Sequence, residues 1–189
     1  MKTRKVIRPA GLFLLALAMI GGSAIAEEVE FGIPSPTVIS SSEGGAVRYL
    51  AAPPVGFPDT TMVIGQAILT LMASVQSEDS VTYASIKAYP ISTPWSVDNV
   101  TWDTPWNSPG GDIDDVNYAA YAMGRPGTQV IEIDLTDLCM RWADGRLPYY
   151  GFLIEIGEAT MAPVEFLNGS DGNGPFATLR IQYTTADLE

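Results

Sequence analysis

Apolar residues recur at every second position in several stretches of this 189-residue chain, and this period of two restricts the fold more than any other feature. Successive side chains of a β-strand point to opposite faces, so such alternation is typical of a strand with one buried face. The longest stretch spans residues 62–75, and two others span 128–135 and 176–184. The residues expected to face the core are Ala67, Leu69, Leu71, Ala73 and Val75 in the first stretch, Gln129, Ile131, Ile133 and Leu135 in the second, and Ala177, Leu179, Ile181 and Tyr183 in the third.

Shorter stretches add further strands to this prediction. Residues 81–89 also alternate, and a turn at 76–80 is predicted to join them to the strand at 62–75 as a hairpin. Residues 150–156 and 164–167 have the composition of two more strands. Short strands at this spacing are typical of antiparallel sheets.

A single short helix is predicted after the strand at 128–135. Thr136 is expected to cap its start, and Gly145 is expected to end it. Leu138 and Trp142 are four residues apart, so they share one helical face and are expected to close one end of the fold. Together these patterns predict an all-β protein, an antiparallel, jelly-roll-like β-sandwich with one short helix.

Residues 94–106, which read PWSVDNVTWDTPW, contain three of the four tryptophans of the chain. Ser96 is predicted to be an N-cap whose hydroxyl accepts a hydrogen bond from the backbone N–H two or three residues on, near Asp98 and Asn99. Residues 100–102 have strand character, and Pro105 is expected to end that strand. We expect this segment to turn the chain from one sheet towards the other, with the tryptophan rings either in the core or forming a ligand platform.

A family resemblance rests on this segment and on three later ones. Residues 95–102 match a W-[ST]-x-x-x-V-T-W motif, 134–145 approximate D-[VLI]-T-x-L-V-x-x-W-x-x-G, 150–154 match Y-G-[FL]-x-[LI], and 175–183 resemble a closing strand. In this order the motifs resemble the DNRLRE domain family, which overlaps with family 96 of the carbohydrate-binding modules. The resemblance implies a jelly-roll-like sandwich in an extracellular protein concerned with glycans.

Residues 1–26 are predicted to be a secretory signal peptide. Four cationic residues lie within the first eight positions, a short apolar run follows, and residues 24–26 have the small-x-small pattern of a cleavage site. The alternative is an uncleaved membrane anchor, for which the apolar run is short. We therefore expect a secreted protein, extracellular or at the cell surface, with the periplasm as the other location. Residues 27–60 are expected to form an extended arm with the first short strands, and 61–185 the sandwich core of a single domain, 27–189.

Acidic residues dominate the chain from residue 27 onward. The whole sequence has ten Lys and Arg against 22 Asp and Glu, and four of the cations precede residue 27, so the remainder carries six cations against 22 anions, a net charge of −16. Such a field repels nucleic acid and anionic membranes and opposes anionic polysaccharides. Neither nucleic acid binding nor membrane insertion after signal cleavage is therefore expected. The single cysteine, Cys139, has no internal partner for a disulfide and is expected to be a small buried residue or to form an intermolecular bond.

An irregular stretch at residues 107–127 carries Asp112, Asp114 and Asp115 behind a pair of glycines. Ca²⁺ takes several oxygen ligands in a loose geometry, which closely spaced carboxylates on a loop can supply. Ca²⁺ is therefore the predicted cofactor, with these three residues as its ligands. The alternative is a solvated acidic loop.

The sequence contains no histidine, which excludes catalytic triads, general acid–base catalysis by histidine and histidine-ligated metals. A glycosidase that uses a pair of carboxylates is the alternative, but the candidates Glu155 and Glu158 cannot be placed facing one cleft, so we expect a protein that is not an enzyme. The first predicted function is that of a carbohydrate-binding module, with Trp106, Tyr118 and Tyr121 beside the irregular stretch as the ligand-binding residues. Their rings would stack on the flat faces of a polysaccharide.

The alternative function is a Ca²⁺-dependent structural subunit of a cell-surface or extracellular-matrix assembly. In this alternative the partners are other copies of the chain. Residues 27–42 are predicted to be an extended, weakly anchored arm that adds a strand to the edge of a neighbour's sheet.

Overall fold

The computed structural model describes residues 26–42, 46–54, 56–57, 61–75, 84–123, 127–157, 164–167 and 174–185. Within these ranges the chain forms ten strands in two antiparallel sheets and one short helix, which confirms the predicted all-β class. The strands are β1 (Glu27–Ile33), β2 (Thr37–Ser40), β3 (Val47–Ala51), β4 (Met62–Val75), β5 (Ala84–Pro90), β6 (Ala119–Met123), β7 (Gly127–Asp134), β8 (Phe152–Ile156), β9 (Val164–Leu167) and β10 (Ala177–Thr185), and the helix is α1 (Thr136–Ala143).

The strands are divided between two five-stranded sheets. Sheet A has the order β1-β10-β4-β7, with β9 also paired to β4. Sheet B has the order β2-β3-β8-β5-β6. Every pairing is antiparallel, as the alternation of apolar residues predicts for sheets with one face in the core.

The main core lies between the two sheets and is built from the alternating residues. Sheet B contributes Ile86 and Ala88 of β5 and Phe152 and Ile154 of β8. Two of the residues predicted to face the core are exceptions: Gln129 is only half-buried, and the side chain of Val75 lies outside the described part. The predicted inward faces of β4, β7 and β10 are confirmed, since the structure buries Ala67, Leu69, Leu71, Ala73, Ile131, Ile133, Leu135, Ala177, Leu179, Ile181 and Tyr183.

The predicted hairpin between residues 62–75 and 81–89 is wrong. β4 lies inside sheet A, with β10 along one edge and β7 along the other, whereas β5 lies in sheet B between β8 and β6. The turn predicted at 76–80 lies outside the described residues. Alternation determines which face of a strand is buried, but it carries no information about which strand lies beside it.

The start of α1 differs from the prediction that Thr136 caps it. Leu135 occupies the N-cap position and makes no side-chain capping bond. The Thr136 N–H donates to Asp134 Oδ1 at 2.9 Å, and the Thr136 Oγ1 accepts a hydrogen bond from the Ala67 N–H at 2.9 Å. The hydroxyl therefore attaches the helix to β4.

The buried face of α1 agrees with the predicted one. Leu138 and Trp142 are buried, and Gly145 follows the helix with a positive φ of 74°. Cys139 is also buried, and burial raises the pKa of its thiol to about 12. Among the described residues, no helix is long and apolar enough to cross a membrane.

The N-terminal segment forms two paired strands. β1 pairs with β10 over its whole length, from Glu27 opposite Tyr183 to Ile33 opposite Ala177, while β2 pairs with β3 in sheet B. The expectation of an extended chain is therefore confirmed. The expectation of a weakly anchored arm is wrong, because the structure buries three side chains of β1 in the main core: Val29, Phe31 and Ile33.

Candidate functional site

A long loop, residues 91–118, connects β5 to β6 and covers the outer face of sheet B. Leu153 of β8 lies between two residues of the main core, so it points to this opposite face. Because β5 and β6 are neighbours in sheet B, the loop leaves and returns to the same sheet, and the predicted corner between sheets is wrong. A second cluster, called the outer cluster here, fills the space beneath the loop and consists of Ile39, Leu50, Tyr89, Ile91, Trp106 and Leu153.

The turn after Trp95 is held by the backbone carbonyl of Ser96. This oxygen accepts hydrogen bonds from the N–H groups of Asn99 and Val100 at 3.2 and 3.1 Å. The Ser96 hydroxyl lies 3.3 Å from the side-chain nitrogen of Asn99 and accepts its hydrogen bond. The predicted N-cap bond from this hydroxyl to a backbone N–H is therefore wrong.

Residues 100–102 do not form the predicted strand. The reason is that the polar backbone groups of Thr101 are used within the loop. Its N–H donates to the Thr104 carbonyl at 2.8 Å, and its carbonyl accepts a hydrogen bond from Trp106 Nε1 at 2.9 Å. This local bonding leaves the segment irregular but tightly connected.

Arg48 of β3 attaches the loop to sheet B. Its Nε donates to Glu155 Oε2 at 2.8 Å, and its Nη1 donates to the Gly110 carbonyl at 2.7 Å. The guanidinium also lies 5.4 Å from the centre of the Trp102 ring, within the range of a cation–π contact. One cation thus contacts the sheet, the loop backbone and one of the tryptophans.

The strand register extends this contact into a row of charged residues across the outer face. Arg48 is opposite Glu155, which is opposite Lys87 on β5. The Lys87 ammonium lies 5.1 Å from the centre of the Tyr118 ring, and that ring lies 5.3 Å from the ring of Tyr89. An aromatic ring therefore lies at each end of the row, and both rings belong to the loop.

The carboxylate of Asp112 braces the loop internally. It accepts hydrogen bonds from the Asn107 N–H at 2.9 and 3.0 Å, from the Asn107 side chain at 2.7 Å, from the Ser108 N–H at 3.0 Å and from the Thr93 hydroxyl at 2.7 Å. Burial alone would raise the pKa of Asp112. The hydrogen bonds from Asn107, Thr93 and Ser108 outweigh this effect, so the pKa lies below its ordinary value.

Asp114, two residues further along the loop, has a similar role. It accepts hydrogen bonds from the N–H groups of Val116 and Asn117 at 3.0 and 3.1 Å and from the Asn117 side chain. The side-chain bond from Asn117 is the main reason why the pKa of Asp114 is lowered. Asp115 is exposed.

A calcium ion at the predicted site would have to compete with these N–H donors for the carboxylate oxygens of Asp112 and Asp114. The described residues contain no cluster of three acidic, cysteine or histidine side chains that could hold a metal.

An open groove of about 150 Å³ lies beside the Ser96 turn. The loop forms one wall, and the segments that follow β3 and precede β8 form the other. None of the described residues that line the groove is charged. They are Ala52, Pro53, Pro94, Trp95, Ser96, Val97, Tyr149 and Tyr150.

The aromatic residues of this groove are held in place by the rest of the fold. Trp95 Nε1 donates to the Tyr150 carbonyl at 2.8 Å, which connects the two walls. The Tyr149 ring packs edge-on against Trp142 and Phe57, with centres 5.2 Å apart in both pairs. Tyr149 thus joins the groove to the main core, while Trp95 and Tyr150 are half-buried at the outer cluster.

The predicted ligand-binding residues have different environments. Trp106 belongs to the outer cluster, and only 8% of its surface is exposed. Tyr118 is 45% exposed and lies against Lys87. Tyr121 is part of β6, and its side chain lies outside the described part. The prediction of a shared platform for these three residues stays a prediction.

The sequence interpretation missed the groove. It left open whether Trp95 lies in the core or on a ligand platform, and it used Tyr150 only as part of a strand and of a family motif. Pro53 was not singled out. One signal was present in the adjacent pair Tyr149-Tyr150, since neighbouring residues in an extended segment point to opposite sides, so one ring is directed inward and the other outward.

None of the models of known protein families matches this chain, and no curated protein is significantly similar to it. The resemblance to DNRLRE domains therefore stays a prediction.

Proposed function

We propose that this protein is a secreted, non-catalytic β-sandwich that binds a neutral polysaccharide in the groove between Trp95 and Tyr150. The observation that carries the proposal is the combination of an open, uncharged groove with half-buried aromatic side chains on both walls, Trp95 on one and Tyr150 on the other. Sugar rings have apolar faces that stack on aromatic rings, and ligand sites in general combine apolar walls with a few polar groups. The Ser96 hydroxyl is such a polar group.

The rigidity of the groove supports this proposal. The hydrogen bond from Trp95 to the Tyr150 carbonyl fixes the two walls relative to each other before any ligand arrives. A preformed site avoids part of the entropic cost of ordering side chains upon binding. The residues also coincide with the family resemblance, because Trp95 and Ser96 begin its first motif and Tyr150 begins its third.

The charge distribution supports a neutral ligand. From residue 27 onward the chain carries a large negative net charge, which opposes binding of anionic glycans. The described lining of the groove has no cation that would offset this repulsion.

The proposal is tested by affinity electrophoresis of residues 27–189 in native gels that contain galactomannan, hydroxyethyl cellulose or xylan. We expect retardation in at least one neutral gel and none in alginate. Trp95→Ala and Val97→Asp are expected to weaken retention by roughly tenfold or more, which corresponds to about 1.4 kcal/mol. Val97 is 63% exposed, so its substitution is expected to leave the fold intact.

Val63→Asp is the matched control, since Val63 is 57% exposed and belongs to sheet A. It introduces the same charge away from the groove and is expected to bind like the wild-type protein. Mobility that does not change in any neutral gel, or equal retention of Val97→Asp and the wild type, would contradict the proposal.

A further inference from the structure

We infer that β1 can be exchanged between copies of this chain, so that β1 of one molecule pairs with β10 of another. The proposed partner is a second copy, and the interaction surface is the edge of β10 with the part of the core beside it. None of the residues of β1 lines the groove, so this inference does not depend on the proposed carbohydrate function.

The first argument is the position of β1 at the edge of sheet A. In the described sheet it pairs with β10 alone, over all seven of its residues. It also buries Val29, Phe31 and Ile33. Each such side chain contributes about 1.5–3 kcal/mol when it is fully removed from water, so the place beside β10 cannot stay empty without a large loss of stability. A β1 strand from another copy restores every one of these contacts.

The second argument is the specificity of the pairing. Glu30 lies opposite Arg180 in the register, and both are exposed. Tyr183 donates from its hydroxyl to Glu27 at 2.9 Å, and the Gln182 side chain donates to Glu28 at 3.0 Å. The acidic strand β1 thus meets an edge that supplies a cation and two donors, which favours β1 over an unrelated acidic strand.

The third argument is the linker between β1 and β2. Only three residues, Pro34-Ser35-Pro36, connect Ile33 in sheet A to Thr37 in sheet B. Four Cα–Cα steps reach about 14 Å at most, and packed sheets lie about 10 Å apart, so this linker crosses with little slack. Both prolines hold their own φ near −65° and bias the preceding residues towards extended conformations. Such a linker favours an extended course of the chain from β1 to β2. Exchange of β1 changes only the path of this linker, because the contacts of β1 with β10 and the core are the same in both forms.

The experiment uses two single-cysteine variants of residues 27–189, Glu30→Cys and Arg180→Cys, each also carrying Cys139→Ala. Residues directly opposite in neighbouring antiparallel strands have Cα atoms about 4.5–5.5 Å apart, within the range of about 4.4–6.8 Å that a disulfide spans. The two variants carry tags of different mass, are unfolded together, refolded at high concentration and oxidised. We expect a covalent dimer that contains one copy of each variant, identified by non-reducing electrophoresis and mass.

Glu30→Cys mixed with Glu132→Cys is the control, because Glu132 is exposed on β7, away from β1. The expected result is a several-fold excess of mixed dimer over this control, and replacement of both linker prolines by glycine is expected to reduce it. The double variant Glu30→Cys/Arg180→Cys shows whether the pair can form a disulfide at all. If the double variant closes only within one chain and the mixture gives no excess over the control, β1 stays on its own molecule and the inference is overturned. If the double variant forms no disulfide, the pairing on which the inference rests is itself wrong.

Discussion

Gly110 is a residue at which the long loop contacts sheet B, because its carbonyl accepts a hydrogen bond from Arg48. Its φ is +94°, and a Cβ at this position would lie 2.6 Å from Arg48 Nη1 and 2.9 Å from the Trp102 ring. Both the backbone conformation and the space therefore require glycine. The contact of Arg48 with the loop depends on this absence of a side chain.

We expect Gly110→Ala to lower the free energy of unfolding by about 2–4 kcal/mol, since the strained φ and the displaced arginine both contribute. Urea unfolding followed by tryptophan fluorescence measures this change. Gly56→Ala is the matched control, because Gly56 has a φ of +92° but no atom of the described residues lies within 4 Å of its Cβ position. If the two substitutions cost the same, the contact with Arg48 and Trp102 contributes nothing and the proposed attachment is incorrect.

Tyr149 carries a buried hydroxyl without a hydrogen-bond partner among the described residues. Trp142 Nε1 is also buried without such a partner. Burial raises the pKa of Tyr149 well above its ordinary value, because the charged form would be poorly solvated there. The ring packs on Trp142 and Phe57, so the apolar part of the residue does the packing.

We expect Tyr149→Phe to leave stability unchanged or to raise it by up to about 1 kcal/mol, since it removes an unsatisfied hydroxyl and keeps the ring. Tyr183→Phe is the comparison, because its hydroxyl donates to Glu27, and we expect that variant to be less stable by about 1 kcal/mol. Thermal unfolding of both variants measures the difference. A clear loss of stability in Tyr149→Phe would show that the hydroxyl has a partner outside the described residues.

At the scale of the element, the long loop is held by its own polar groups as much as by apolar packing. Trp106 fills the outer cluster, while Asp112 and Asp114 accept hydrogen bonds that the backbone of an irregular segment would otherwise leave unsatisfied. Asp112 and Asp114, two of the three predicted Ca²⁺ ligands, thus have an internal structural role, and calcium binding stays a prediction. The loop is in this respect comparable to a compact Ω-loop, which is packed by its own side chains.

The loop is therefore expected to make stability depend on pH through Asp112. The pKa of Asp112 is lower in the folded protein than in the unfolded chain, so its contribution is present above the unfolded pKa of about 3.9 and is lost as the pH falls through the lower folded pKa. We expect Asp112→Asn to lower stability at neutral pH and to flatten the loss of stability below about pH 4.

Urea unfolding at a series of pH values measures this effect. Asp115→Asn makes the same change of charge at an exposed position of the same loop and serves as the control. If both variants lose stability equally at neutral pH, the hydrogen bonds from Asn107, Ser108 and Thr93 do not support the loop.

At the scale of the whole molecule, the two proposals use opposite parts of the sandwich. The groove is formed by the loop and by segments flanking strands of sheet B, whereas the proposed exchange involves β1 and β10 of sheet A. Copies joined through β1 would therefore each keep an open groove. Several linked grooves bind a long polymer more tightly than one groove does, because each later contact is intramolecular.

The acidity of the molecule is consistent with this arrangement. A net charge far from zero keeps copies apart in solution, so assembly requires a specific contact rather than general attraction. In the proposed exchange, the buried apolar side chains of β1 and the pairing of Glu30 with Arg180 on β10 would provide that contact.

The strands were predictable from the sequence where one face enters the core. Leu69, Ile133 and Ile181 are buried as their alternation predicts, because the period of two is a property of the local backbone and needs no knowledge of neighbours. The buried face of α1 was predictable for the same reason, since residues four apart share a helical face.

The amino-acid sequence by itself thus determined the all-β class, the short helix, the acidic charge and the absence of histidine chemistry. Only the tertiary structure decided which strands pair, that the loop at 91–118 covers sheet B, and that Trp106 is buried while Trp95 borders a groove. The physical reason is the range of the interactions. Side-chain alternation acts between near neighbours in the chain, whereas the partners of β4 and the atoms that surround Trp95 come from segments that are far away in the sequence.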